Sequence, residues 1–224
     1  MFFYDVRCYI EGSISNEREL KRCGDMLAYS EGKDFLSKIR GLVIEFEVFH
    51  CSEACLRMVS TLISNSPNLE NLRIYNTRVP LDEILELQNL KSLYIGRSQL
   101  SELPKEIENL KKLELLDLSY NKLVQLPEEI GELESLKYLC VDNNKLQDLP
   151  EEISKLSNLD FISIYNNKFK KFPEVLLLRQ QPVDVQIDGA QASMLGRICP
   201  SLESADTVVS YEPKSISVRL PLKN

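Results

Sequence analysis

The amino-acid sequence predicts an α/β fold, a curved solenoid with a parallel β-sheet on its concave face and short helices on its convex face. Two observations predict this architecture. Leu113 recurs as Leu136 and as Leu159, so the same pattern returns with a period of 23 residues. Within each period, a strand-like alternation of leucines is followed by a proline and by apolar residues at helical spacing. Units of this size stack into a solenoid because one unit alone cannot bury its apolar side.

The repeat follows the pattern L-x-x-L-x-L-x-x-N-x-L-x-x-L-P-x-x-I-x-x-L-x-x, whose positions are numbered from its first leucine. Four units are regular, and they begin at Leu90, Leu113, Leu136 and Leu159. Three degenerate units flank them, beginning near Ile39, Leu69 and Pro182. We therefore expect about seven units over residues 39–190, with the regular ones at 90–181. Residues 1–38 and 191–224 are predicted to be N-terminal and C-terminal caps, because a solenoid needs atypical ends to cover its core.

Each segment of the unit has a physical role. The L-x-L alternation places leucines on one face of a short strand, where they point into the core. The asparagine that follows can bond backbone groups of neighbouring units, which predicts a ladder through Asn121, Asn144 and Asn167. Leu-Pro begins a short helix whose first turn tolerates the proline, and glutamates such as Glu129 suit its positive end. The I-x-x-L that follows buries one helical face.

On these residues, the segment 90–178 resembles the leucine-rich-repeat (LRR) family, in particular its 23-residue class with the LPxxIxxL signature. This class is found in Ras-pathway scaffolds, in plant intracellular proteins and in bacterial proteins. The resemblance implies a horseshoe that binds a partner through its concave face, and it implies no cofactor. Ser98 and Thr77 depart from the asparagine at position 9, so we expect a weaker ladder toward the N-terminus.

On the concave face, positions 3, 5 and 7 should face solvent and position 8 should lie near the rim. Leu115, Tyr138 and Phe161 then lie side by side on adjacent strands. An aromatic-rich surface outside the core is typical of a binding hot spot; the alternative is simple cross-strand packing of exposed rings. The candidate partner-binding residues are Tyr75, Tyr94, Leu115, Asp117, Tyr120, Tyr138, Asp142, Phe161 and Tyr165.

The charges on this face favour a protein partner with a basic surface. Aspartates occupy positions 3, 5 and 7, namely Asp117, Asp142, Asp184 and Asp188. A row of lysines stands at position 10, formed by Lys122, Lys145 and Lys168. We interpret that row as a solvated edge rather than as a contact for an acidic partner.

The sequence offers little for catalysis or metal binding, and we expect neither enzymatic activity nor a cofactor. A zinc site would need the single histidine, His50, together with Cys51, Cys55 and a fourth ligand. A Ser-His-Asp or Cys-His site would need the same histidine. Buried thiols beside a surface histidine are the simpler interpretation. Glutamate pairs such as Glu128 and Glu129 recur with the repeat, which indicates solvated helix faces rather than glycosidase acids.

The composition also limits the partners and the compartment. The 224 residues carry a net charge of −7, which argues against a cation-driven grip on nucleic acid. No apolar run approaches the roughly 20 residues of a membrane span, and the first residues lack the layout of a secretory signal. The six cysteines form no CxxC pair, which is typical of reduced thiols. Cys140 would be reactive as a thiolate, but the nearby aspartates oppose that form.

These observations predict a cytoplasmic protein-interaction module or scaffold, as in signalling. The alternative is a secreted or surface-displayed protein that engages host or matrix molecules, carbohydrate included. A leader upstream of Met1, or a disulfide between Cys8 and Cys23, would favour that alternative.

Overall fold

The computed structural model describes residues 13–14, 34, 36–45, 53–76, 79–198, 207–210 and 215–220. The strands within them are β1 (Ser13–Ile14), β2 (Gly41–Glu45), β3 (Asn71–Tyr75), β4 (Ser92–Gly96), β5 (Leu115–Asp117), β6 (Tyr138–Cys140), β7 (Phe161–Ser163), β8 (Val183–Ile187), β9 (Thr207–Ser210) and β10 (Ser215–Leu220). They form one sheet in the order β1-β2-β3-β4-β5-β6-β7-β8-β10-β9.

Strands β1 to β8 run parallel, each hydrogen-bonded to the next, which confirms the predicted solenoid sheet. The last two strands depart from this pattern, because β10 pairs antiparallel with both β8 and β9. Val218 and Leu220 of β10 are buried, so the segment after the repeats adds to the core at that end.

The helices lie on the other side of the core and are α1 (Glu53–Ser64), α2 (Leu81–Leu85), η1 (Lys105–Asn109), η2 (Glu128–Glu132), η3 (Glu151–Lys155), η4 (Glu174–Leu177) and α3 (Gly189–Ile198). In the four regular units they are 3-10 turns (η1 to η4) rather than short α-helices. Each of these turns follows a proline in an extended conformation, such as Pro104 with φ −66° and ψ 155°. The proline therefore precedes the first turn instead of lying in it, and the few residues left form the tighter 3-10 helix.

The repeated leucines form one continuous core. In the third regular unit, Leu136, Leu139 and Val141 at positions 1, 4 and 6 have no exposed surface, and neither has Ile153 at position 18. Each buried aliphatic side chain stabilises the fold by about 1.5–3 kcal/mol. Because every unit repeats these positions, the apolar interior runs uninterrupted from unit to unit.

The predicted asparagine ladder is confirmed. Asn144 Nδ2 donates to the carbonyl oxygens of Leu118 and Val141, at 2.9 Å and 3.1 Å. Asn144 Oδ1 accepts a hydrogen bond of 3.0 Å from the backbone N–H of Leu123. One side chain thus joins two successive units, and it satisfies backbone groups that would otherwise be buried without partners.

The two ends of the ladder differ. At the N-terminal end, Ser98 Oγ donates within its own unit, to the Gly96 carbonyl at 3.0 Å. This is the weaker arrangement expected there, and Thr77 lies outside the described residues. At the C-terminal end, Gln191 Nε2 donates to the carbonyl of Ile164 at 3.0 Å. A glutamine on α3 therefore takes the place of the next asparagine.

Two buried polar side chains close the C-terminal end of the repeats. Gln191 forms a reciprocal cap with Asp188: Asp188 Oδ1 accepts from the N–H of Gln191 at 2.9 Å, and Gln191 Oε1 accepts from the N–H of Asp188 at 3.0 Å. Arg179 stands at position 21, where the other regular units have leucine. Its guanidinium donates to three carbonyl oxygens, those of Ile153, Leu156 and Leu159, at 2.9, 2.8 and 3.0 Å.

Candidate functional site on the concave face

A row of apolar side chains crosses the middle of the concave face. Leu115 pairs in register with Tyr138, and Tyr138 pairs with Phe161, on β5, β6 and β7. Tyr138 is 45% exposed, and Leu115 and Phe161 are half-buried. The row lies on the face opposite to the leucines of the core, as the period-2 alternation of a strand requires.

Two arginines stack on tyrosines toward the N-terminal side of this row. Arg73 on β3 lies beside Tyr94 on β4, and its guanidinium carbon is 4.4 Å from the ring centre. At the rim, the guanidinium carbon of Arg97 is 5.0 Å from the centre of the Tyr120 ring. Both distances are typical of cation–π contacts. Sequence reasoning missed both pairs, although each joins the same position of successive units.

The rim at position 8 has an unusual backbone. Five residues at this position have φ between 51° and 58°, namely Asn76, Arg97, Tyr120, Asn143 and Asn166. Asparagine tolerates the left-handed region comparatively well, whereas bulky side chains are strained there. The two strained positions carry Arg97 and Tyr120, the same two residues that stack on one another.

Tyr75 is held against the neighbouring strand by a glycine. Gly96 is its partner in register on β4. A Cβ atom on Gly96 would lie 2.7 Å from Cδ1 and Cε1 of the Tyr75 ring, which no side chain can accommodate without a shift. The absence of a side chain at position 7 of this unit could have been read from the sequence, but the ring that fills the space could not.

The expectation that Asp142 faces solvent was wrong. Its side chain is 6% exposed, and its carboxylate accepts hydrogen bonds from Ser119 Oγ at 2.9 Å and from Asn143 Nδ2 at 2.7 Å. Ser119, also at position 7, is buried as well. The physical reason is that β5 and β6 end at position 5, so the alternation of the strand does not extend to position 7.

The remaining aspartates are engaged in different ways. Asp117 is half-buried, and its Oδ1 accepts from the backbone N–H of Ser119 at 2.9 Å. Asp184 pairs with Arg219 of β10 at 2.9 Å. Asp188 caps α3 and also accepts from the N–H of Asn166 at 2.9 Å. The acidic character of the face is thus concentrated at Asp117, with Asp142 beneath the surface.

Tyr165 lies near Asp142 and is half-buried. Its burial, together with the negative charge of Asp142, raises the pKa of its hydroxyl far above the ordinary value. The hydroxyl also interacts with Asn143 and with Tyr120. Tyr165 thus lies close enough to Tyr120, Asn143 and Asp142 for each of them to act on its hydroxyl.

Cys140 and Ser163 form the floor between the aspartates and the aromatic row. Cys140 pairs in register with Asp117 on one side and with Ser163 on the other. Its thiol is free, and burial, followed by the charges of Asp117 and Asp142, raises its pKa to about 12. The aspartates thus oppose the thiolate, as the sequence predicted. Ser163 is 1% exposed, and its Oγ has no hydrogen-bond partner.

The two rims of the concave face differ in charge. At position 2, basic and acidic side chains alternate from unit to unit: Arg40, Glu70, Lys91, Glu114, Lys137 and Asp160. Ion pairs join several of them, with 2.8 Å between Lys91 Nζ and Glu70 Oε2 and between Lys137 Nζ and Glu114 Oε2. The pKa of the Glu70 and Glu114 carboxyls is lowered accordingly. The alternation is visible in the sequence but escaped sequence reasoning.

The opposite rim carries the lysines of position 10. Lys122, Lys145 and Lys168 are all exposed, and Lys122 Nζ donates to Gln99 Oε1 at 3.0 Å. No carboxylate pairs with them among the described residues. The interpretation of this row as a solvated edge stays a prediction.

His50 and Cys51, the candidate zinc ligands, lie outside the described residues, as does the side chain of Cys55. In the described part of the chain, no group of three or more His, Cys, Asp and Glu side chains could hold a metal ion. Nor does any helix of that part have the length and the apolar character needed to cross a membrane.

Comparisons with known proteins agree with this geometry. A Leptospira interrogans LRR protein matches 71% of this chain and 39% of its own, with 29% identity and a TM-score of 0.57. The LRR domain of the type III effector XopL matches 56% of this chain and 46% of its own, with 21% identity and a TM-score of 0.50. This chain spans less than half the length of either structure. No curated protein matches with significance.

A family model also matches the repeats. The model of a leucine-rich repeat region covers residues 68–176, which include the four regular units up to η4 and the degenerate unit that begins at Leu69. Together with the parallel sheet, the buried leucines and the asparagine ladder, this match identifies residues 68–176 as a leucine-rich-repeat region.

Proposed function

We propose that this protein is an interaction module that binds a partner protein on its concave face. The observation that carries the proposal is the apolar row of Leu115, Tyr138 and Phe161, which lies on the solvent side of the sheet although the core does not require it. Large apolar and aromatic residues at the centre of a concave surface are typical of binding hot spots. Solenoids commonly bind their partners on such a surface.

The surroundings of the row support the same proposal. Tyr75, Tyr94, Tyr120 and Tyr165 stand around the row, and Asp117 adds a negative charge beside it. Of these, Tyr120 is 46% exposed and the others are half-buried. Held by neighbouring strands and by Gly96, the rings lose little conformational freedom on binding, which favours affinity. Asp142 contributes from beneath this surface rather than by direct contact.

The test is an affinity purification that compares the wild-type chain with the double variant Tyr138→Ala/Phe161→Ala. Loss of a central hot-spot residue costs about 2 kcal/mol or more in binding, so the partner should be recovered with the wild type and lost with the variant. Val124→Ala is the matched control, because Val124 is equally exposed, at 45%, but lies outside the concave face. Circular dichroism verifies that all variants are folded.

Equal recovery of the same partners by the wild type and by the double variant would contradict the proposal. The class of molecule that is recovered also tests the alternative. An extracellular protein that engages host or matrix molecules should retain carbohydrate or matrix proteins through the same residues, whereas a cytoplasmic scaffold should retain cytosolic proteins.

A further inference from the structure

The carboxylates of the concave face fall into two groups. Asp184 has a cationic partner, Arg219 at 2.9 Å. Asp117 and Asp142, in contrast, are bonded only to neutral groups, those of Ser119 and Asn143, within the described part of the chain. A carboxylate that is partly removed from water without a counter-ion is unfavourable. A cation that a partner places beside these carboxylates would therefore stabilise the complex more than a cation placed elsewhere on the face.

The floor between these groups holds an unused hydrogen-bonding atom. Ser163 lies two residues along β7 from Phe161, on the same face, and pairs in register with Cys140. Its side chain is almost fully buried, and its Oγ has no partner. Buried polar groups are nearly always satisfied in native proteins. Ser163 Oγ is therefore an unsatisfied hydrogen-bonding atom on the concave side of β7, and a donor that displaces the side chains covering it would satisfy it.

The neighbouring strands show what kind of group this surface accommodates. Arg73 stacks on Tyr94 at 4.4 Å and Arg97 stacks on Tyr120 at 5.0 Å, both supplied by the chain itself. Over Tyr138 and Phe161, no described arginine or lysine occupies the corresponding place. The C-terminal half of the face, formed by β5 to β7, thus has the rings and the carboxylates but no described cation stacked on the rings.

We propose that this half of the concave face receives an arginine side chain of the partner protein. The guanidinium stacks on Tyr138 and Phe161, its charge faces Asp117 and Asp142, and its N–H groups reach toward Ser163 above Cys140. The proposal deepens the proposed function and rests on it. Arginine fits better than lysine, because its planar fork stacks on aromatic rings and offers several donors at once.

The experiment begins with a phage-displayed library of random linear peptides, selected on the full chain. The selected peptides should be rich in arginine at one position. For the tightest peptide, replacement of that arginine by citrulline keeps the planar shape but removes the charge. We expect it to weaken binding to the wild type about tenfold.

The decisive measurement is a double-mutant cycle with Asp117→Asn, a change that preserves the acceptor for the N–H of Ser119. On this variant, the preference for the arginine peptide over the citrulline peptide should become clearly smaller than tenfold, because one of the two carboxylates that the charge faces has been neutralised. Asp148→Asn is the matched control: it makes the same change of charge at an exposed residue outside the concave face, and the tenfold preference should persist.

The outcomes separate this proposal from the proposed function. Peptides without an excess of arginine, an excess of lysine instead, or an unchanged citrulline effect on Asp117→Asn would overturn the arginine site. If such peptides still lost binding to Tyr138→Ala/Phe161→Ala, the concave face would remain the binding surface. Failure to select any peptide that is sensitive to this double variant would count against both.

Discussion

Strands β3 and β4 are five residues long, whereas β5, β6 and β7 are three residues long, although all five belong to the same repeat. The longer strands coincide with a weak ladder, in which the Ser98 side chain bonds only within its own unit. The shorter strands coincide with units in which asparagine occupies position 9 and bonds to the neighbouring unit. In these units the strand ends at position 5 and the turn follows at once. The N-terminal half (β3 and β4) and the C-terminal half (β5 to β7) of the concave face thus differ in backbone.

The two halves also differ in charge. The N-terminal half supplies its own arginines, and both are stacked on tyrosines. The C-terminal half carries Asp117 and Asp142 without a cationic partner among the described residues. The comparison shows that one repeat can build two different surfaces, because the core dictates only the leucine and asparagine positions. The intervening positions are not fixed by the core in this way.

The largest expected effect tests the difference between the ladders. Asn144→Ala removes a side chain that serves the carbonyls of Leu118 and Val141 and the N–H of Leu123. The free energy of unfolding should fall by about 3 kcal/mol, because several buried backbone groups lose their partners. Ser98→Ala should cost only about 1 kcal/mol, since one bond within a unit is lost. Urea unfolding followed by circular dichroism measures both.

Asn158→Ala is the control for this pair. Asn158 is exposed and makes one bond across units, from Nδ2 to the carbonyl of Glu134 at 2.8 Å. Asn158→Ala should therefore lower the free energy of unfolding by less than Ser98→Ala does. Equal destabilisation by Asn144→Ala and Ser98→Ala would show that the ladder does not distinguish the two halves.

The repeat period explains why the fold could be predicted. A residue that returns every 23 positions and is always leucine has the same environment in each unit, and Leu113, Leu136 and Leu159 are indeed fully buried. The row of Leu115, Tyr138 and Phe161 follows from the same argument, since positions between buried leucines of a strand must face the other way.

Other features could not be predicted, because they break the period or depend on where a strand ends. Asp142 was assigned to solvent on the assumption that the strand continues to position 7, but β6 ends at Cys140. Gln191 lies on α3, outside the repeat pattern, and takes the place of a ladder asparagine. The 23-residue period therefore could not predict its hydrogen bond to the Ile164 carbonyl. The stack of Arg97 on Tyr120 depends on left-handed backbone at both residues.

A smaller effect is expected where the two halves meet, at Arg97. Its φ of 51° strains any bulky residue, and its side chain stacks on Tyr120. Arg97→Asn loses the stack but relieves the backbone, so stability should stay within about 0.5 kcal/mol of the wild type. Arg97→Leu loses the stack and keeps the strain, and should be less stable than Arg97→Asn by about 1 kcal/mol.

Urea unfolding of the two variants measures the difference, and Asn166→Leu serves as the reference. Asn166 has the same φ of 51° as Arg97 but takes no part in the stack of Arg97 on Tyr120. Its replacement by leucine adds the strain and also removes the hydrogen bond from Asn166 Nδ2 to Asn143 Oδ1, 2.6 Å long, so it should lower the stability by more than about 1 kcal/mol. Equal stabilities of Arg97→Asn and Arg97→Leu would show that the rim is not strained and that the stack alone determines the choice of residue.

The smallest expected effect measures the uncompensated charge of the C-terminal half through Cys140. Burial is the main cause of its raised pKa, and Asp117 and Asp142 add to it. Asp117→Asn should lower this pKa slightly and increase the thiolate fraction, so that iodoacetamide modifies Cys140 roughly threefold faster at a fixed alkaline pH. Mass spectrometry of the tryptic peptide 138–145, whose only cysteine is Cys140, follows the reaction.

Asp148→Asn removes the same charge outside the concave face and should leave the rate unchanged. An unaltered or slower reaction in Asp117→Asn would mean that the Asp117 carboxylate does not raise the pKa of the Cys140 thiol. The charge asymmetry between the two halves would then be confined to the rim. A faster reaction in both variants would indicate a general opening of the sheet, because loss of burial exposes the thiol whichever aspartate is replaced.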